Sequence, residues 1–214
     1  MGVDELPFDH ITAGAISGDW YSGRVTDAGF PTALQRDGAR SGVLTLESRP
    51  DALTDRFTVT GEDDAVQMAV GVNSPRYREW FAANRANRGS APQFEDPTVV
   101  STQDLAGGTW LTANVFAGST GTDVTVAIDG GEAKGAQRTQ AMAGEARKVG
   151  ALWSDPVAVQ EQLVHGGSVA ESSMHLWRLE LPTDLAAGEH TATVTSTDRD
   201  GTVSTDTLEF TVTE

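Results

Sequence analysis

The chain has 214 residues, 38% hydrophobic and 21% charged, which is typical of a folded globular protein and enough for one large packed domain or two small ones. Its 31 acidic and 15 basic residues give a formal charge of −16, a field that repels nucleic acid, and no apolar run approaches the roughly 18 residues of a membrane span. Cysteine is absent, which removes disulfides, thiolate metal sites and a cysteine nucleophile.

The start at Met1-Gly2 lacks the basic and apolar regions of a signal peptide, so either the protein is cytosolic or the sequence begins inside a longer precursor, the reading we favour. An apolar run, Ile11 to Ile16, leads into the aromatic turn Gly18-Asp19-Trp20-Tyr21-Ser22-Gly23, whose rings face either a local core or a ligand. Short strands are predicted near Val43 to Leu46, Arg56 to Thr60 and Val66 to Val72, with Glu62-Asp63-Asp64 as an acidic turn. Ser74-Pro75 supplies a helix cap and first turn. The following Tyr77, Trp80, Phe81 and Asn84 fall at helical spacing, which predicts a helix over about 75–86 with a packed aromatic side and an arginine side in water, formed by Arg76, Arg78, Arg85 and Arg88. Arg88 to Pro97 has Gly, Ser, two prolines and no periodicity, and reads as a linker.

The C-terminal half alternates as strands do. Leu111, Ala113 and Val115 share one face of Trp110 to Ala117, and Val124, Val126 and Ile128 share one face of Asp123 to Asp129, before a turn at Asp129-Gly130-Gly131. His175 to Leu181 places Trp177, Leu179 and Leu181 opposite Leu176, Arg178 and Glu180. The threonine-rich run at 191–195 and the run with Leu208, Phe210 and Val212 form a hairpin around Asp198-Arg199-Asp200-Gly201. The predicted class is therefore mainly β: a small β-rich subdomain with one helix over 1–97, then an antiparallel β-sandwich of immunoglobulin or fibronectin type over 98–214. A long insertion over about 133–173 interrupts the sandwich and holds one short helix capped at Asp155-Pro156.

Catalytic machinery is not visible. The four histidines, His10, His165, His175 and His190, sit in no nucleophile-elbow or metal-ligand pattern, and His175 and His190 read as surface or edge residues at strand starts. Asp198-x-Asp200-Gly201 lacks the terminal glutamate of a calcium loop and is explained by a hairpin turn. Neither catalytic nor metal-binding residues are assigned.

Taken in order, Ala13 to Gly23, Gly29-Phe30-Pro31 and Gln35-Arg36-Asp37-Gly38 resemble the region that follows the catalytic domain of bacterial calcineurin-like metallophosphoesterases. Gln67, Ser74 to Phe81, Ile128 to Gly131, Leu152-Trp153-Ser154-Asp155-Pro156, His175-Leu176-Trp177-Arg178, Gly188 to Thr191 and Thr197 to Gly201 are similar to later landmarks of that region. In that family two metal ions clamp the attacking and leaving oxygens. The Asp-x-His, Gly-Asn-His-Asp/Glu and Gly-His-x-His motifs that hold them do not occur here.

The resemblance implies a non-catalytic C-terminal region of a secreted or cell-surface bacterial protein, packed on a catalytic domain of the same polypeptide that binds two divalent metals. Trp20, Tyr21, Arg36 and Asp37 are its candidates for shaping the substrate cleft, aromatics suiting a base or sugar and arginine suiting phosphate. After Gly38 the family often continues Thr-Pro-Asn-Gly-Tyr, where this chain has Ala39-Arg40-Ser41-Gly42-Val43. The alternative is a free-standing module that binds cell-wall glycan or protein through the long insertion, with Trp153 as its aromatic platform.

Overall fold

The structure, a computed structural model, describes residues 21–50, 52–140, 144–146, 148–167 and 172–214. Trp20 and the run from Ile11 to Ile16 lie outside these residues.

The first elements are a two-stranded antiparallel ribbon, β1 (Gly42–Arg49) and β2 (Ala52–Val59), and then β3 (Met68–Asn73). Helix α1 (Pro75–Asn84) starts where expected, with the Ser74 hydroxyl accepting from the Tyr77 N–H. Next come β4 (Val99–Ser101), the single-turn α2 (Thr102–Ala106), β5 (Trp110–Val115) and β6 (Asp123–Ile128). The predicted insertion contributes two-residue strands β7 (Lys134–Gly135) and β8 (Gln137–Arg138) and helix α3 (Pro156–His165), capped by Asp155. Finally come β9 (Leu176–Glu180), β10 (Gly188–Thr197) and β11 (Val203–Thr213).

The fold is mainly β, with sandwich-like sheets in which antiparallel pairing predominates. One sheet has the order β4-β11-β10-β6-β7 and the other β3-β5-β9-β8, so the chain crosses between sheets at Ala136, between β7 and β8. Their facing sides form the main core, with Met68, Val72, Leu111, Val115 and Trp177 from one sheet and Val100, Val124, Val194, Phe210 and Val212 from the other. The predicted alternation of β5, β6, β10 and β11 accounts for Leu111, Val115, Val124, Val194, Phe210 and Val212, and that of β9 for Trp177.

β3 pairs with β5 along six residues, so one sheet draws strands from both sides of 97/98. Two readings change. The stretch 88–97 is tied down rather than linker-like: the Gly89 and Ala91 N–H groups donate to the Leu163 carbonyl, and Phe94 is buried edge-on against Tyr77 in the core shared by α1 and α3. The arginine side of α1 is only partly in water. Arg85 and Arg88 are exposed, but Arg76 donates to the carbonyls of Asp96 and Val99, and Arg78 to those of Asn73, Gly107 and Gly108.

A further departure positions the site. In β5 both faces are buried: Thr112 and Asn114, on the side opposite Leu111, Ala113 and Val115, lie under α3 and the chain that leads into it. Gly71 on the neighbouring β3 leaves room for this helix, since a Cβ there would meet the Val157 side chain at 2.7 Å.

Candidate functional site

Residues 22–38 form a strap along α3. A Cβ on Gly167, just past the helix C-terminus, would come within 4.0 Å of the Ser22 hydroxyl; Thr32 donates to Glu161 at 3.2 Å; and Gly38 abuts Asp155 and Ala158 at the N-terminus. The strap therefore carries Tyr21 and the Arg36-Asp37 turn to opposite ends of a helix about 15 Å long. Tyr21 is exposed at one end. The structure does not bring it beside Arg36 and Asp37.

At the other end four elements converge on a polar cluster. Asn114 of β5 donates from Nδ2 to the Asp37 carbonyl at 3.0 Å and to Asp155 Oδ2 at 2.7 Å. Its Oδ1 must then accept, so the His175 Nδ1, 2.6 Å away, carries the proton. His175 Nε2 lies 3.1 Å from Asp37 Oδ2. Asp155 completes the cluster by accepting from the Val157 N–H at 2.9 Å, the helix-capping bond.

The two carboxyls are pushed in opposite directions. Burial drives Asp155 above the usual carboxylate range, only partly offset by Asn114 and the helix N–H groups. Burial acts the same way on Asp37, but hydrogen bonding and charge from His175, with the Ala39 N–H, hold it below that range.

Gly38 is required at the centre of this arrangement. Its φ of +88° is left-handed, and a Cβ would stand 2.5 Å from Asn114 Nδ2 and 2.6 Å from Asp155 Oδ2. His175, expected at a surface or edge, is instead buried, because the strap covers the end of β9.

Gln35, Asp37 and Ala39 line an open trough of about 800 Å³ between the β1–β2 ribbon and the end of the sandwich; Arg36 lies outside it. An ion pair, Arg199 to Asp55 at 3.0 Å, ties ribbon to sandwich beside this trough.

Trp153 is half-buried beneath a guanidinium. The Arg178 carbon lies 3.7 Å from its ring centre and 4.0 Å from that of Trp110, while Arg178 Nη1 donates to the Leu152 carbonyl. Part of the surface that a glycan platform needs is therefore occupied by the protein itself.

The described residues do not fit a metal pair. No group of three or more His, Asp or Glu among them could hold an ion, and His175 and His190 each commit both ring nitrogens to protein partners. The Asp198 turn behaves as the hairpin reading requires, its Oδ1 accepting from the N–H groups of Asp200 and Thr202.

The family model described as the C terminal of calcineurin-like phosphoesterase matches residues 10–203. The chain belongs to this family. As a calcineurin-like phosphoesterase C-terminal region it is not itself the catalytic domain of such enzymes. No curated protein and no solved structure matches it. Three of the segments that carried the sequence resemblance, those containing Asp37, Asp155 and His175, meet at the polar cluster described above. Asn114, which joins them, lies in none of the segments. Its only signal was an asparagine inside a strand, where that residue is depleted.

Proposed function

We propose that this accessory region packs on the metal-dependent catalytic domain of the same polypeptide and forms one wall of its phosphoester-binding cleft. Tyr21, Arg36 and Asp37, with Trp20 next to Tyr21 in sequence, would contribute to that wall, in a bacterial protein that is secreted or displayed at the cell surface. One observation carries the reading: the Gln35–Gly38 turn is locked to β5, α3 and the start of β9 by a buried polar cluster. Buried polar networks cost stability relative to apolar packing, and one that fixes a surface turn is best understood if the turn's position matters.

Hydrogen exchange on the polypeptide containing both regions, compared with this chain alone, tests it. Amides of residues 21–39 should exchange more slowly when the catalytic domain is attached. Equal exchange in the two samples would remove the packing interface from this face.

A further inference from the structure

We infer that Arg36 is a recognition residue for an oxyanion of the phosphoester substrate, and that Asn114, His175 and Asp155 are positioning residues that fix the turn carrying it. The inference rests on the proposed packing and divides the roles within the turn.

The backbone around Arg36 is held from several directions. Gln35 N–H donates to the Ala39 carbonyl at 2.8 Å, and the Gln35 carbonyl accepts from the Gly38 N–H at 2.9 Å and from Gln162 Nε2 at 3.1 Å. Asn114 holds the Asp37 carbonyl, and His175 holds the Asp37 carboxylate. That carboxylate also accepts from the Ala39 N–H at 3.1 Å, so it serves as an anchor and forms no ion pair with Arg36.

What the turn offers outward is one side chain. Among Gln35 to Ala39 only Arg36 is exposed. Other arginines of the N-terminal part have carboxylate partners: Arg24 with Glu161, Arg40 with Glu62, Arg49 with Glu47 and Arg56 with Asp64. Arg36 has none among the described residues, in a chain where acids outnumber bases two to one. Arg85 and Arg88 are also exposed and without a carboxylate partner among those residues, but no buried network fixes the backbone beneath them. A guanidinium presents a planar fork of donors that fits a phosphoryl group bidentately, and pre-organising its backbone lowers the entropy lost on binding.

The test is steady-state hydrolysis of an aryl phosphate by the polypeptide that includes the catalytic domain. Arg36→Gln should raise KM about tenfold with kcat little changed, as loss of a charged hydrogen bond requires, and Arg36→Lys should recover part of the loss. Asp37→Asn, which loosens the anchor while keeping Arg36, should raise KM by a smaller factor without abolishing folding. An unchanged KM in Arg36→Gln overturns the inference. So does an unchanged KM accompanied by weaker domain packing, since Arg36 would then pair with a carboxylate of the catalytic domain. Hydrogen exchange at residues 21–39 in the same samples separates the two readings: protection with unchanged KM removes only the role of Arg36, whereas no protection removes the packing itself.

Discussion

His190 Nδ1 lies 2.7 Å from Asp129 Oδ2, joining two segments that are 61 residues apart in sequence. The imidazole stacks on Phe210, and its Nε2 contacts the Ala186 carbonyl at 2.8 Å. Both nitrogens thus face acceptors, which favours the doubly protonated ring. The Ala186 carbonyl and then Asp129 raise the His190 pKa, while His190 and the Thr191 N–H lower that of Asp129.

The sign of the pH effect follows. A raised histidine contributes fully below its unfolded value of about 6.5 and loses that contribution as pH rises through the folded one. The depressed Asp129 contributes above about 3.9 and fails as pH falls through its lower folded value. Asp129→Asn should therefore lower stability most near pH 5 to 6 and least near pH 9, by no more than about 1 kcal/mol because the carboxylate is half exposed. Urea unfolding of the chain and the variant across this range checks it; a gap that widens with pH contradicts the assignment.

Gly38 gives the largest predicted effect for the smallest change. Gly38→Ala places a methyl group against Asn114 and Asp155 and forces alanine into a left-handed conformation, costing about 3 kcal/mol. Gly130 has a similar φ of +69°, but nothing lies within 4 Å of the place a Cβ would take, so Gly130→Ala should cost only about 1 kcal/mol. Denaturant midpoints of the two variants separate crowding from backbone strain.

Much of this architecture was legible because local and tertiary preferences agree. Asp155-Pro156 begins α3 as capping chemistry dictates, and the alternation of β10 and β11 places Ala192, Val194, Phe210 and Val212 in the core. The cluster was less legible because its causes are non-local. Thr112 and Asn114 lie on the side of β5 opposite Leu111, Ala113 and Val115, and only the return of α3, some forty residues later, buries them. Phe94 likewise sits in a Pro- and Gly-containing stretch with no periodicity, yet is buried by helices on either side of it in sequence.

Trp153 separates a structural role from a binding one. Arg178→Met removes the cation from between Trp153 and Trp110 and the bond to the Leu152 carbonyl, and should cost about 2 kcal/mol. Faster amide exchange should follow in residues 150–158, where the loop meets the α3 cap. Trp153→Ala should produce the same loosening, while retention on cell-wall polysaccharide is unchanged. Loss of retention with unaltered exchange would instead favour a glycan platform.

Asn114 joins the buried groups and should show a pH signature of its own. Asn114→Ala removes the donor to Asp155 and to the Asp37 carbonyl and the acceptor for His175 Nδ1, a loss of about 3 kcal/mol near neutrality. The Asp155 pKa is already raised by burial, and Asn114 is the first group that opposes the rise, so the variant should raise it further. A raised carboxyl favours folding below its unfolded pKa of about 3.9, and that advantage is lost as pH rises through the folded value. The destabilisation should consequently be smaller near pH 4 to 5 than near pH 8. Thermal unfolding of Asn114→Ala and the unaltered chain at both ends of this range measures the difference; a penalty independent of pH would mean that Asp155 does not depend on the asparagine.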